Sequence, residues 1–143
     1  MSINAIIDGI LEDEGGYVDD PADKGGCTNM GITQGTLRQW RGHEVTCEDV
    51  RALEQNEARD IYEDRYYYGP NIHRLPQHLQ PLMVDSVVQH GTEEPVKWLQ
   101  ETLGTTVDGI IGPNTIDAVQ DSHVEGVYRQ VLARRIQYYF AII

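Results

Sequence analysis

Basic residues are scarce. Eleven Lys plus Arg stand against 23 Asp plus Glu in 143 residues, a formal charge of −12. A field of that sign repels polyphosphate and anionic lipid surfaces, which excludes nucleic acid as a partner. No apolar run approaches the roughly 18 residues that a spanning helix needs, so stable membrane insertion is not expected. The N-terminus has no basic residue ahead of its apolar stretch, and Asp8 interrupts it, so it reads as neither a secretory signal nor a span. Cysteine is rare as well. Cys27 and Cys47 lie twenty apart and form no metal or redox spacing; the expectation is two reduced thiols in a chain made in the cytoplasm. The five histidines (His43, His73, His78, His90 and His123) show no HExxH pattern, which removes the basis for zinc peptidase chemistry. Asp19, Asp20 and Asp23 share one loop, but Pro21 or Ala22 falls where a calcium hand needs its second ligand. Neither a metal nor another cofactor is expected. Internal repeats and low-complexity linkers are also missing.

What is present is a core and an uneven distribution of acid. Hydrophobic residues make up 40%, enough for one compact unit of ordinary size. Up to residue 68 the chain holds 15 acids and 6 bases, and beyond it 8 and 5, so the acidity concentrates in the first half. Ile3, Ile6, Ile7, Ile10 and Leu11 recur at helical spacing behind Ser2 as cap, and Gly15-Gly16 ends that helix. Residues 17–32 read as a loop with a small hairpin. Thr33 caps a short helix ending near Gly42, Thr46 with Asp49 resembles a capping box, and helix continues to Tyr68. Further helices are expected over 79–90, from Thr92 to Leu103, from Pro113, and over the last amphipathic stretch through Ile136. The class is mainly α, with a short irregular or β-like element after the first helix. The break at 69–76 separates two lobes, 1–75 and 76–143, that pack together as a single domain or as two.

The densest chemistry lies at the end of the first helix. Glu14 follows Glu12 and Asp13 at a helix C-terminus, where backbone carbonyls and like charges disfavour the carboxylate and favour the protonated form a general acid needs. Asp23 comes nine residues later across a glycine-supported turn, and Thr28 offers a hydroxyl that can position a water. Two carboxylates across a cleft are the equipment of glycosidic bond hydrolysis. Spacing alone favours a solvated acidic helix end followed by a loop.

The run Glu14-Gly-Gly-Tyr-Val-Asp-Asp-Pro-Ala-Asp-Lys-Gly-Gly-Cys-Thr-Asn-Met-Gly-Ile-Thr33 resembles the signature of family 108 glycoside hydrolases, lysozyme-like N-acetylmuramidases of phage endolysins and secretion-activating proteins. The resemblance implies a lysozyme-like helical fold with Glu14 as catalytic acid. The segment is also similar to phage-type lysozymes, whose catalytic Glu is followed nine residues on by Asp and then by Thr. Asp23 matches that Asp, and Thr28 stands one residue closer than the Thr. Trp98-Leu-Gln-Glu-Thr-Leu-Gly104 and Val107-Asp-Gly-Ile-Ile-Gly-Pro-Asn-Thr-Ile-Asp-Ala-Val119 resemble the peptidoglycan-binding region that follows the catalytic segment in this family. Members often continue into a tail with Gly-Trp and a basic residue, so a chain stopping at Ile143 is expected to have a shortened second lobe.

Sugar rings stack on aromatic faces while their hydroxyls meet Asp, Asn or Gln. On that ground Tyr17, Asp20, Asn29 and Tyr67 are the candidate substrate contacts, and most of Trp40, Tyr62, Tyr66 and Trp98 are expected in the core or between the lobes. The favoured reading is a monomeric muramidase that cuts peptidoglycan glycan strands, acting at the wall in the periplasm after holin-type release or dedicated export. Its rivals are a lytic transglycosylase, a non-catalytic wall-binding protein, and a wall peptidase with Cys27 as nucleophile and His43 as base.

Overall fold

A computed structural model of the chain describes residues 2–19 and 26–142, with Glu14 through its backbone alone. The first helix, α1 (Ile3–Glu14), forms where apolar residues recur three and four apart, and Ile6, Ile7 and Leu11 are buried. The Ser2 hydroxyl caps it by accepting from the Ala5 amide at 3.2 Å. Gly15 follows the last turn at φ +71°, a left-handed conformation that costs glycine little.

Three short strands come next: β1 (Val18–Asp19), β2 (Cys27–Asn29) and β3 (Ile32–Thr33). They pair antiparallel in chain order, Val18 opposite Thr28, Asp19 opposite Cys27, Thr28 opposite Thr33 and Asn29 opposite Ile32. Met30 (φ +52°) and Gly31 (φ +79°) turn β2 into β3 with the paired left-handed residues that a two-residue hairpin favours. The Tyr62 hydroxyl donates to the Met30 carbonyl and holds that turn. The expected hairpin within 17–32 is thus a three-stranded sheet reaching Thr33. Strands of two and three residues are too short for alternation to show in the sequence.

Thr33 caps α2 (Gln34–Arg41) by accepting from the Thr36 amide at 3.1 Å, and Gly42 closes it at φ +77°. Thr46 and Asp49 form the reciprocal capping box of α3 (Cys47–Arg51), at 3.2 and 2.8 Å. The next helix is α4 (Gln55–Glu63), with Ala58, Ile61 and Tyr62 buried. Ile7–Glu63 packs as one compact unit; the chain from Asp64 onward, with the residues before Ile7, packs as a second.

The second unit opens on a π-helical turn, Asp64–Tyr68, closed by the Gly69 amide donating to the Asp64 carbonyl at 2.6 Å. A Cβ at position 69 would stand 2.6 Å from that same oxygen, so only glycine fits. After a 3₁₀ turn (Ile72–Arg74) come α5 (Gln80–His90), α6 (Glu93–Leu103), α7 (Pro113–Gln120) and α8 (Val124–Ile142). α6 packs against α5, α7 and α8. The core there is built from Met83, Val84, Val87, Val96, Leu99, Val119 and Val131, all buried, each contributing on the order of 1.5–3 kcal/mol.

Buried Gln100 ties the loop between α6 and α7. Its amide oxygen accepts from the backbone of Asp108 (3.0 Å) and Gly109 (2.9 Å), and its nitrogen donates to Asp108 Oδ1 (2.8 Å) and the Ile110 carbonyl (2.9 Å). The Asp-Gly turn of the second motif is therefore a loop held from inside by one buried side chain.

The fold is mainly α and lysozyme-like, with one small sheet after the first helix. Trp98 and Tyr62 are buried as expected, but Trp40 is not: it lies 41% exposed on α2. No helix among the described residues is long and apolar enough to cross a membrane.

Candidate active site

Glu14 is the last residue of α1, in a turn that carries Glu12 and Asp13, both exposed, and no base. The helix C-terminus and the two neighbouring carboxyls make the potential there negative. Asp20 and Asp23 fall between β1 and β2 and, with the side chain of Glu14, lie outside the described residues.

The sheet beyond that helix end is fastened to α3 along its length. At one end of β2, Cys27 is bonded to Cys47, the first residue of α3, with Cα atoms 5.8 Å apart. This corrects the expectation of two reduced thiols: a spacing of twenty in sequence says nothing about distance once β2 lies along α3. It also removes Cys27 as a nucleophile, because a disulfide sulfur carries no thiolate. At the other end, the Asn29 side-chain nitrogen donates to the Val50 carbonyl at 3.0 Å and the Arg51 carbonyl at 3.1 Å. Both carbonyls lie in the last turn of α3, where acceptors run short of intrahelical partners; Asn29 serves that of Arg51 and joins the Leu53 amide at that of Val50. Asn29 is buried, its nitrogen committed to the backbone rather than open to a sugar.

Thr28 lies between these anchors. Side chains alternate along a strand, so with Cys27 and Asn29 directed to α3, Thr28 projects from the opposite face of the sheet, half-buried. Tyr17, in the turn between α1 and β1, is also half-buried; the Arg51 guanidinium lies over one face of its ring, 4.6 Å from the centroid. Arg51 was not a candidate in the sequence, where nothing links it to a tyrosine 34 positions away. α3 thus holds both the entry to β1 and the whole of β2.

Acids on the following helices include two with defined partners. Glu57 takes a two-pronged pair from Arg41, Oε2 to Nε at 3.0 Å and Oε1 to Nη2 at 2.7 Å, joining α4 to α2. That pair holds the Glu57 carboxyl below its ordinary range and the Arg41 guanidinium above its own. Asp49 is held low by the Thr46 amide of the capping box. Arg59 pairs with Asp8 across α4 and α1.

Tyr67 belongs to the second unit. Its hydroxyl donates to Gln80 Oε1 at 2.9 Å, and its ring meets Tyr68 edge-on at 4.8 Å. Among the described residues no group of three or more His, Cys, Asp or Glu is placed to hold a metal ion.

Comparison with known proteins bears on this arrangement. A family model described as glycosyl hydrolase 108 matches residues 7–91, and one described as a predicted peptidoglycan domain matches residues 94–143. Among solved structures, SagA of Brucella abortus is 34% identical with a TM-score of 0.75, over 97% of this chain and 80% of that one. A comparison with curated proteins finds no match. The first family model spans more than half of the sequence, and it takes in α1 from Ile7 onward, the sheet and α3: the chain belongs to the glycosyl hydrolase 108 family.

Proposed function

We propose that the chain hydrolyses the β-1,4 bond between N-acetylmuramic acid and N-acetylglucosamine, with Glu14 as general acid. The coarser premise rests on the two families: a glycoside hydrolase joined to a peptidoglycan domain. The observation that carries the finer reading is the position of Glu14, closing α1 in an acid-rich turn without a base, with three residues, the left-handed Gly15 first, between it and the sheet. Glu14 gives its proton to the bridging oxygen as the bond to the anomeric carbon breaks. Asp23 orients the incoming water and takes its proton, or stabilises the cationic state if it stands too close to admit water. Thr28 holds that water from the sheet. Tyr17 offers a sugar its ring beside the Arg51 guanidinium, Asp20 binds hydroxyls, and Asn29 acts by fixing the strand that carries Thr28.

The Cys27–Cys47 bridge supports action in an oxidising compartment, which a wall enzyme meets in the periplasm after release through a holin-type pore or dedicated export.

The test is digestion of purified peptidoglycan by the wild-type chain, Glu14→Gln and Asp23→Asn, with product analysis. The expected result is new reducing ends, lost by at least a hundredfold in Glu14→Gln, the scale of general-acid catalysis. Anhydro sugar ends would reassign the chain to a lytic transglycosylase. Binding to the wall without any products would leave only a binding protein.

A further inference from the structure

We infer that the second unit carries a glycan-binding pocket of its own, at the N-terminal ends of α5 and α8. The cavity measures about 740 Å³ and is walled by Ile3, Gln77, His78, Gln80, Pro81 and Tyr128. That is within the range of ~300–1,000 Å³ in which small ligands are buried. In a chain with 23 acids and 11 bases, its walls include no Asp, Glu, Lys or Arg among the described residues.

The lining has the chemistry of a sugar site. The His78 and Tyr128 rings stand 4.9 Å apart at 45°, an angled aromatic wall on which a pyranose face can stack. Among the described residues the Tyr128 hydroxyl has no hydrogen-bond partner, and the Gln77 amide is exposed, so both are open to ring hydroxyls and acetamido groups. The floor is set in advance. Gln80 donates to the Leu75 carbonyl at 2.9 Å and the His73 carbonyl at 3.3 Å and accepts from the Tyr67 hydroxyl, so little further ordering is needed on binding.

Peptidoglycan offers two kinds of ligand, neutral amino-sugar strands and charged stem peptides. The uncharged amino-sugar strand matches a lining of amide, hydroxyl and aromatic groups, whereas stem peptides bring carboxylates and ammonium groups for which the described lining offers only the His78 imidazole, so the occupant is the glycan strand, at N-acetylglucosamine. The choice of glycan rests on the peptidoglycan reading above.

The probe is the N-acetylglucosamine trimer, titrated into the full-length chain and followed by backbone amide shifts, with Tyr128→Ala, His78→Ala and Gln77→Ala beside the wild type. The exposed Gln77 and His78 can be changed without opening the core. The expected result is shifts at residues 77, 78 and 128 and an affinity about twofold to tenfold weaker in Tyr128→Ala and His78→Ala. Shifts confined to residues 7–63, or all three variants binding within a factor of two of wild type, overturn the pocket. Reducing-end release by the same proteins is scored separately. A wild type that releases none yet shifts at 77, 78 and 128 sinks the hydrolase reading and upholds the pocket.

Discussion

Cys27 in the middle strand of the sheet and Cys47 at the first position of α3 are joined by a disulfide, their Cα atoms 5.8 Å apart. The bridge closes a separation of 20 residues, which in the chain-entropy view stabilises the fold by about 3 kcal/mol. Reduction, or replacement of both cysteines by serine, is expected to lower Tm by roughly 10 °C. Melting with and without dithiothreitol measures it; a drop of under about 2 °C would mean that the other ties to α3 hold the sheet unaided.

Asn29 is one of those ties, and its chemistry separates a structural clamp from a sugar ligand. Asn29→Ala removes the Asn29 donor from the Arg51 carbonyl and leaves the Val50 carbonyl to the Leu53 amide, and is expected to cost about 2 kcal/mol. Asn29→Asp should cost more, since it turns a carboxylate towards two carbonyl oxygens in a buried position. Urea unfolding gives both numbers. Equal stability of Asn29→Asp and wild type, paired with a raised KM, would return Asn29 to the substrate.

Local signals were legible and long-range ones were not. Ser2, Thr33, Thr46 with Asp49, Gly42 and Pro113 mark helix ends in the sequence because a cap and its partner lie within a few residues of each other. The position of Glu14 at the end of α1 was readable for the same reason, through Gly15. The clamp made by Asn29 is invisible in the sequence because its partners are 21 and 22 residues away, and the bridge made by Cys27 because its partner is 20 away. Trp40 illustrates a different limit: aromatic character predicts burial on average, whereas exposure is decided by which face of α2 the core takes, and the core takes Leu37.

The Arg41–Glu57 pair makes a pH prediction. Glu57 titrates below its ordinary value of 4.5, chiefly through the Arg41 hydrogen bond. The folded state therefore binds its proton more weakly than the unfolded chain does. The stabilisation is fully present above that ordinary value and is lost as pH falls through the depressed one. Glu57→Gln is expected to lower the urea midpoint at neutral pH and to converge with wild type in acid. A gap that stays constant across the titration would show that the pair contributes through packing alone.

Gln100 gives the sharpest case, because one atom exchanged for another reverses the loop's electrostatics. In the wild type its side-chain nitrogen donates to Asp108, whose carboxyl is held low by that bond first and by the Ile110 amide second. Gln100→Glu replaces the donor with an oxygen that faces the Asp108 carboxylate and the Ile110 carbonyl from a position 1% exposed. The two carboxyls cannot both stay ionised, so one takes up a proton on folding and its pKa rises. A group bound more tightly by the folded state makes stability grow as pH falls. Gln100→Glu should therefore lose about 3–5 kcal/mol at pH 7 and recover part of it by about pH 5. Gln100→Leu, which leaves the Asp108 and Gly109 amides unpaired but adds no charge, should be destabilised equally at both. Urea midpoints of the two variants at the two pH values decide it, and a Gln100→Glu loss that does not change with pH contradicts the placement of Gln100 against Asp108.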